Sequence, residues 1–375
     1  MSNLRNHTVS SVNAFFTLLQ AGLWERSVHL DKDVDYDEIL EIADEQSVLG
    51  LVTAGMEHVK GYFIPKETIL NFVGCTLQIE QQNKSMNAFI EKITAKLRLA
   101  GINTVLVKGQ GIAQCYERPL WRSCGDIDLF LSELDFSKAR GLLEPLSTSI
   151  DTELVYEKHV AMTIDTWCVE LHGNLPSSIS RKIDSVIEKL QDGVFNKGEI
   201  RTWRNGNSVI SLPSVDNDIL FIFTHFLKHL FQGGIGLRQI CDWCRLLWTY
   251  KNEIDFPLLS ERLHKMGLMT EWNAFASLAV NTLGYPAEEM PFYNNNKCWR
   301  RRSDKIKAFI LDTGNFGQNR DNCYLKKYPY VIYKIISLWR HTSDSLRLFV
   351  IFPLDTMRVW VRMIKIGLAA AFKGQ

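Results

Sequence analysis

The sequence has few of the features that mark membrane-spanning, secreted or disulfide-bonded proteins. It contains no window of about 18 uncharged apolar residues, so we expect no membrane-spanning helix. No basic stretch followed by a long apolar run lies near residue 1, so we expect no secretory signal. The eight cysteines show no framework spacing, which in a chain of 375 residues indicates reduced thiols and a cytoplasmic location.

Internal repeats and low-complexity segments are also lacking. The GxxxxGK[ST] spacing of a Walker A loop does not occur, and Gln114 occupies the third glycine position of a dinucleotide-binding fingerprint. These absences argue against the two commonest nucleotide-binding loops. The composition, with 46% hydrophobic and 23% charged residues, predicts an ordinary globular protein of two or three packed units.

The net charge of +1 conceals an uneven distribution. Residues 31–46 carry eight acids and one lysine, whereas residues 297–375 carry sixteen lysines or arginines and five acids. One interpretation is two solvated faces of opposite sign. The other is that the basic C-terminal third binds an anionic partner, such as a phosphorylated acceptor, nucleic acid or a membrane surface. Within it, the amphipathic segment Thr356–Phe372 fits either core packing or peripheral membrane contact.

Hydrophobic periodicity divides the chain into three parts, because apolar residues recur at helical spacing near both ends. The clearest helix covers residues 83–100, and Gly101 follows it at the expected cap position. Its apolar stripe consists of Met86, Phe89, Ile90, Ile93 and Leu97. We predict an α+β fold with an N-terminal helical region (1–81), a small mixed-sheet core (82–210) and a C-terminal helical domain (211–375).

The middle part shows the shorter period of β-strands. Ile102–Val107 and Asp126–Leu131 are predicted to be buried strands, and Ser132 is placed to cap a helix after the second. Residues 152–172 predict two more strands with a turn near Asp165. This succession fits a small α/β unit with a mixed sheet.

Asp126 and Asp128 are the first candidates for chemistry. On a strand, side chains at i and i+2 point to the same face, about 7 Å apart along the chain. Two carboxylates placed in this way repel each other unless cations lie between them. A pair of divalent ions is a standard solution in phosphoryl-transfer sites. The alternative is a solvated strand face.

Two neighbouring segments strengthen the interpretation of the aspartates. Lys108, Gly109, Gln110 and Gly111 follow a strand directly, and glycines there let backbone N–H groups approach a phosphate. The alternative is a tight strand-to-helix turn. Glu170 lies between two apolar residues on a later strand, where a third metal ligand that accepts a proton is one interpretation. A buried ion pair with an arginine is the other.

These motifs together resemble a known family. A strand ending in Lys108-Gly109, Arg122 just before the run Gly125–Leu129, and the later run Val169–His172 are similar to the uncharacterised nucleotidyltransferase family. That family belongs to the DNA polymerase beta-like nucleotidyltransferase superfamily. The resemblance covers roughly residues 82–250.

The resemblance implies roles for individual residues. Asp126 and Asp128 would bind Mg²⁺ or Mn²⁺, and Glu170 would complete one metal site and assist deprotonation of the attacking hydroxyl. Gly109 and Gln110 stand where the superfamily usually has Gly-Ser, so the hydroxyl that often touches a terminal phosphate is missing. The positive charges of Lys108 and Arg122 are candidates to compensate for it.

Further candidates lie outside these motifs. His172 shares a strand face with Glu170. His225 and His229, and likewise Arg238 and Asp242, are four residues apart and share a helix face. The resemblance extends to these helical positions, which would line the cleft opposite the carboxylates. The alternative is a polar network that fixes the packing of the helices.

A zinc site is a less favoured interpretation of the same region. His225, His229, Cys241 and Cys244 have the residue types of a zinc site. Their order is reversed from that of a zinc finger, and all four lie on predicted helices among apolar neighbours. Buried cysteines on a core helix are therefore preferred.

The resulting expectation is an enzyme that moves a nucleoside monophosphate from a nucleoside triphosphate (NTP) to an acceptor hydroxyl, with release of pyrophosphate. The acceptor is open: a sugar, a small metabolite, an RNA end or a protein. One alternative is a catalytically weak or inactive nucleotide- or partner-binding module of the same fold. The other is a toxin–antitoxin type nucleotidyltransferase that acts on RNA or protein.

Overall fold

A mixed five-stranded sheet forms in the middle of the chain, with helices before and after it. The computed structural model describes residues 7–30, 34–61, 63–151, 158–317, 319 and 330–372. The α+β class predicted from the sequence is confirmed. Parts of three predicted segments lie outside the described residues: residues 31–33 of the acidic run, 152–157 of the strand pair, and 318, 320–329 and 373–375 of the basic C-terminal third.

Four helices precede the sheet: α1 (Val9–Trp24), α2 (Tyr36–Glu45), α3 (Leu49–Met56) and α4 (Lys66–Leu99). The first two begin at capping side chains, because Thr8 accepts a hydrogen bond from the backbone of Ser11 and Asp35 accepts from the first turn of α2. α4 is a single helix of 34 residues that runs straight through the predicted boundary at residue 81. The division into three regions therefore stays a prediction.

The apolar stripe predicted for residues 83–100 is confirmed. Met86, Phe89, Ile90, Ile93 and Leu97 are all buried on one side of α4. Gly101 follows with a φ of +71°, a left-handed conformation that glycine adopts without strain. The chain can therefore turn directly from the end of α4 into the first strand.

The sheet consists of β1 (Thr104–Val107), β2 (Asp126–Leu131), β3 (Ser147–Ile150), β4 (His159–Ile164) and β5 (Trp167–His172). The spatial order is β1-β2-β5-β4-β3. β2 and β5 are parallel, and the other neighbours are antiparallel. A short helix α5 (Gly109–Ala113) follows β1, and α6 (Glu133–Leu143), capped by Ser132 as predicted, follows β2.

The alternation of side chains on β2 separates a core face from a cleft face. Ile127, Leu129 and Leu131 pack into an apolar cluster with the stripe of α4. Asp126 and Asp128 point to the opposite face. The prediction that Asp126–Leu131 forms a buried strand is confirmed.

Helix α7 (Arg181–Asn196) and a hairpin of β6 (Ile200–Asn205) and β7 (Ser208–Pro213) follow the sheet. Sequence periodicity did not predict this hairpin, because most of β6 is exposed or half-buried and carries few apolar residues. β7 contributes Ile210 and Leu212 to the cluster beneath the sheet.

The C-terminal part is helical, with α8 (Val215–Gln232), α9 (Leu237–Thr249), α10 (Phe256–Met266), α11 (Met269–Leu283), α12 (Lys297–Thr313), α13 (Tyr330–Phe349) and α14 (Pro353–Phe372). Aromatic side chains fill the space between α8, α9 and α11, with Phe223, Trp243 and Trp272 in mutual contact. The N-terminal helices share this core, since the Trp24 indole donates to the Leu283 carbonyl oxygen at 2.5 Å. None of the described helices has both the length and the apolar character that crossing a bilayer demands.

Candidate active site

Three carboxylates lie on the cleft face of two adjacent parallel strands. Asp128 on β2 pairs in register with Glu170 on β5, and Asp126 pairs with Cys168. Since side chains alternate, Asp126, Asp128 and Glu170 share one face of the sheet. The structure thus brings the three acids predicted from the sequence to one wall of a cleft.

Asp128 is buried, with 2% of its side chain exposed, and its Oδ1 atom accepts two hydrogen bonds. The Lys108 ammonium donates at 2.8 Å, and Nε2 of His172 lies 2.8 Å away. Burial on its own would raise the pKa of Asp128, but the charge of Lys108 and the His172 hydrogen bond lower it overall. This acid therefore stays ionised despite its burial.

Glu170 is held by two histidines. Its Oε2 atom lies 3.2 Å from Nε2 of His159 and 3.4 Å from Nε2 of His172. Burial opposes ionisation, but the two imidazole contacts keep the pKa of Glu170 well below its usual range. In His172, burial lowers the pKa and the contacts with Asp128 and Glu170 raise it, with a net increase.

Asp126 is the carboxylate without a compensating partner. Within the part of the chain that the structure describes, its side chain forms no hydrogen bond and no ion pair. The charge of Asp128, followed by burial, raises the pKa of Asp126. An uncompensated carboxylate beside two ionised ones calls for added positive charge, and oxygen donors suit Mg²⁺ or Mn²⁺. The residues present therefore fit the metal ions that the family resemblance implies.

The turn between β1 and α5 is strained at Lys108. Its backbone has φ +58° and ψ −144°, a region that non-glycine residues rarely adopt, at a cost of about 1–3 kcal/mol. Gly109 follows with φ +41°, and a Cβ there would lie 3.3 Å from the Cys124 sulfur. This backbone turns the Lys108 ammonium onto Asp128. The Gln110 side chain points away from the cleft and donates to Asn83 at 2.6 Å.

Helices α8 and α9 form the wall opposite the carboxylates. A cavity of about 230 Å³ lies between β5 and α8, with Lys108, Glu170 and His172 on one side and His225 and His229 on the other. A smaller cavity of about 40 Å³ adjoins it between β2 and α9. Lys108 and His225 line both cavities, so the two form one cleft over the carboxylate face.

Arg122 and Asp242 form a buried ion pair at the end of the smaller cavity. The guanidinium donates to both carboxylate oxygens, at 3.0 and 2.5 Å, and the Tyr116 hydroxyl donates to the same carboxylate at 2.8 Å. Burial opposes the charge of Arg122, but Asp242 raises its pKa overall. The structure thus places the predicted nucleotide-binding Arg122 in an existing ion pair.

Arg238 lies beside this pair but does not join it. One of its terminal nitrogens donates to the Ser123 carbonyl oxygen at 2.9 Å, and its buried Nε atom has no partner among the described residues. Burial, and then the charge of Arg122, lower the pKa of Arg238. Arg238 lines the smaller cavity together with Asp126, so an arginine with spare donors faces the uncompensated carboxylate.

His225 and His229 contact each other on α8, with their Nε2 atoms 3.1 Å apart. Burial, followed by the charge of Lys108, lowers both pKa values, that of His229 to about 4. Cys241 and Cys244 are buried on α9. Among the described residues these four side chains do not converge as a metal-binding group, in agreement with the preference for buried cysteines.

His159 and Lys228 are cleft residues that the sequence did not reveal. His159 begins β4 directly opposite His172. The pairing of β4 with β5 brings it to Glu170, and the predicted turn near Asp165 was the available signal. Lys228 lies between the two predicted histidines. Its position on the same helix, next to His229, could have identified it as a cleft residue.

A family model described as an uncharacterised nucleotidyltransferase matches residues 32–284. The chain belongs to this family. The matched region includes the whole sheet together with α8 and α9, so it contains both walls of the cleft. No curated protein and no solved structure matches the chain.

Proposed function

We propose that the protein transfers a nucleoside monophosphate from an NTP to an acceptor hydroxyl, with release of pyrophosphate, in a reaction that depends on Mg²⁺ or Mn²⁺. The observation that carries the proposal is the carboxylate face of β2 and β5. There Asp126 has no ion pair or hydrogen bond among the described residues and lines a cavity together with Arg238. Membership in a nucleotidyltransferase family supports the same reaction class.

Asp126, Asp128 and Glu170 would hold the metal, which supplies positive charge to the phosphates and to the attacking oxygen. Glu170 suits the role of ligand better than that of proton acceptor, because its contacts with His159 and His172 keep its pKa low. A general base works best with a pKa near the operating pH. The low pKa favours metal binding, since a ligand carboxylate must be deprotonated.

Arg238 and Lys108 are the proposed phosphate contacts. Arg238 lines the smaller cavity, and its buried Nε atom has no partner among the described residues. A guanidinium can donate two parallel hydrogen bonds to a phosphate. Lys108 balances the carboxylates through its bond to Asp128. Once those carboxylates bind magnesium, Lys108 would be free to pair with a phosphate oxygen. Arg122 is instead paired with Asp242, and this ion pair holds α9 in place at one end of the cleft.

Thermal unfolding in the presence of each of the four ribonucleoside triphosphates, with and without Mg²⁺ or Mn²⁺, tests the proposal. A ligand that binds only the folded state stabilises it, by about 2.7 kcal/mol at a concentration about 100 times its Kd. We expect one or more nucleotides to raise the Tm only when the metal is present. We also expect the Asp126→Asn variant to abolish this increase.

The matched control is Asp165→Asn, the same chemical change at an exposed position in the turn between β4 and β5. This variant should keep the full nucleotide-dependent increase in Tm. The absence of any metal-dependent increase in the unchanged protein would contradict the proposal. An equal increase in Asp126→Asn would remove Asp126 from the site.

A nucleotide-binding module without turnover is a second candidate, favoured by Gln110. This residue replaces the usual serine of the superfamily, and its side chain bonds to Asn83 away from the cleft. The backbone turn at Gly109 therefore presents no hydroxyl to a terminal phosphate. A metal-dependent increase in Tm without pyrophosphate release, tested against candidate sugars, RNA and proteins, would support this alternative.

For the basic C-terminal third, we propose peripheral contact with an anionic membrane. Leu354, Met357 and Val361 are exposed at helical spacing on α14, beside the exposed Arg358. Val359, on another side of the helix, packs into the core. Co-sedimentation with phosphatidylserine vesicles, but not with neutral vesicles, is expected, and Leu354→Glu should reduce it. Equal recovery with both vesicle types would contradict the proposal.

A further inference from the structure

Four of the nine histidines in the sequence line the larger cavity, and two of them converge on Glu170. We propose that His159, Glu170 and His172 form a binding site for a first-row transition-metal ion, with Zn²⁺ as the probe ion. The site adjoins the carboxylate pair Asp126 and Asp128, because the Nε2 atom of His172 also lies 2.8 Å from Asp128. It rests on the proposed function only in that Glu170 belongs to both.

The strand pairing places the three ligands on one face. His159 on β4 lies directly opposite His172 on β5, and Glu170 precedes His172 by two residues. A cross-strand pair brings the Cβ atoms of the two histidines to within about 5.5 Å. The rings are tilted by 31° with centroids 4.8 Å apart, and the Nε2 atom of each lies close to the same carboxylate oxygen.

The two distances from Glu170 match those of a metal site. Ligand atoms about 2.1 Å from a zinc ion lie about 3.4 Å apart when the coordination is tetrahedral. The Glu170 oxygen lies 3.2 Å from one imidazole nitrogen and 3.4 Å from the other. All three ligand atoms lie within 4.8 Å of one another. No other group of three His, Cys, Asp or Glu side chains converges as closely in the described part of the chain.

The donor types select the class of ion. Two imidazole nitrogens and one carboxylate suit zinc and its first-row neighbours, whereas Mg²⁺ prefers oxygen ligands only. Three protein ligands leave a fourth position open towards the cavity, as in catalytic rather than structural zinc sites. The cavity of about 230 Å³ gives that position room for a water or a substrate atom.

A competing arrangement explains the same contacts without a metal. In it, a protonated His172 bridges Asp128 and Glu170 and supplies the positive charge itself. The two arrangements differ in what His159 does. As a ligand, His159 is indispensable to ion binding, whereas in the bridged arrangement it only caps Glu170.

The test uses the full chain after chelator treatment, dialysis against Zn²⁺ and removal of free ion by gel filtration. We expect a single zinc ion to remain bound per chain, and Co²⁺ in its place to give the strong visible absorption of four-coordinate cobalt. His159→Ala should lose both signals, while His264→Ala, at an exposed histidine of α10, should keep them.

Two further variants separate this inference from the proposed function. Asp126→Asn should retain the zinc ion while it loses the magnesium-dependent response to nucleotide. The inference is overturned if the unchanged chain retains no ion, or if His159→Ala retains it. It is also overturned if Asp126→Asn loses the ion. Loss of the ion from the double variant His225→Ala with His229→Ala, in which His159 is intact, would overturn it as well. Zinc retention without any nucleotide response would leave the inference standing and contradict the proposed function alone.

Discussion

Two arginines at the same end of the cleft differ in whether their charge is balanced. Arg122 donates two hydrogen bonds to Asp242, and both side chains are 6% exposed. Arg238, beside them, donates to a carbonyl oxygen, and its Nε atom has no partner in the described part of the chain. A balanced buried charge contributes to a fixed architecture, whereas a desolvated charge with spare donors is available to a ligand. Breaking the pair of Arg122 and Asp242 should therefore lower stability, whereas replacing Arg238 should not.

Replacing Asp242 by Asn should destabilise the fold. The change leaves the buried Arg122 guanidinium without its counter-charge, which costs about 3–5 kcal/mol when one partner of a buried pair is removed. The free energy of unfolding from chemical denaturation measures the effect. The double variant Arg122→Met with Asp242→Leu should recover much of the loss, because no buried charge remains. An Asn variant as stable as the unchanged protein would refute this account.

Replacing Arg238 by Gln should leave stability unchanged or raise it slightly, while it weakens nucleotide binding. Burial and the neighbouring Arg122 oppose the charge of Arg238 in the folded state, so its removal costs little. The metal-dependent increase in Tm with NTP should shrink. Arg204→Gln, at an exposed position of β6, is the matched control and should keep the full increase. A reduced Tm without ligand and an unchanged nucleotide response would point to a structural role for Arg238.

At the scale of elements, α1 and α3 cross at two glycines. A Cβ added at Gly22 would lie 1.9 Å from the Leu51 carbonyl oxygen, and one at Gly55 would lie 1.9 Å from that of Leu18. Each contact is with backbone, so no side chain can rotate away to make room. The glycines therefore set the distance between the two helices, and through α3 the position of α4 beneath the sheet.

The substitution Gly22→Ala should separate α1 from α3 and lower the free energy of unfolding by at least about 1–3 kcal/mol, the usual cost of overpacking. Gly74→Ala is the control within α4, where an added Cβ meets nothing within 4 Å. There the greater helix propensity of alanine should stabilise the protein by up to about 1 kcal/mol. Equal effects of the two substitutions on Tm would show that helix propensity, and not the crossing, governs Gly22.

At the scale of the whole molecule, a buried acidic contact joins α14 to α11. Glu271 on α11 lies beside Asp355 at the start of α14, and one oxygen of Glu271 has no hydrogen-bond partner among the described residues. Burial, and then the charge of Asp355, raise the pKa of Glu271 to about 8. Folding therefore favours the protonated form of this acid.

The protein should lose stability as the pH rises from about 4.5 to about 8. Over this interval the unfolded state has released the Glu271 proton and the folded state still holds it, so the slope of unfolding free energy against pH is negative. Each pKa unit of difference corresponds to about 1.4 kcal/mol. Glu271→Gln should remove this component and be more stable than the unchanged protein at pH 8. Denaturant titrations across this interval measure it, and a Gln variant with the original slope would assign the dependence to other groups.

Local sequence determined the elements that build the carboxylate face. Alternation of charged and apolar residues along Asp126–Leu131 predicted the strand, its buried side and the shared orientation of the two aspartates. The same reasoning applied to Glu170, and helical spacing predicted α4 with its apolar stripe. These features follow from the sequence because side-chain periods of 2 and 3.6 residues are properties of neighbouring positions.

Only the tertiary structure decided which charges are already balanced. In the sequence, Asp242 lies four residues from Arg238 on the same helix face. The structure instead pairs Asp242 with Arg122, 120 residues away. Such contacts depend on how elements pack, and burial then fixes the cost of leaving a charge unpaired. That cost distinguishes Arg122, whose charge Asp242 balances, from Arg238, the proposed ligand contact.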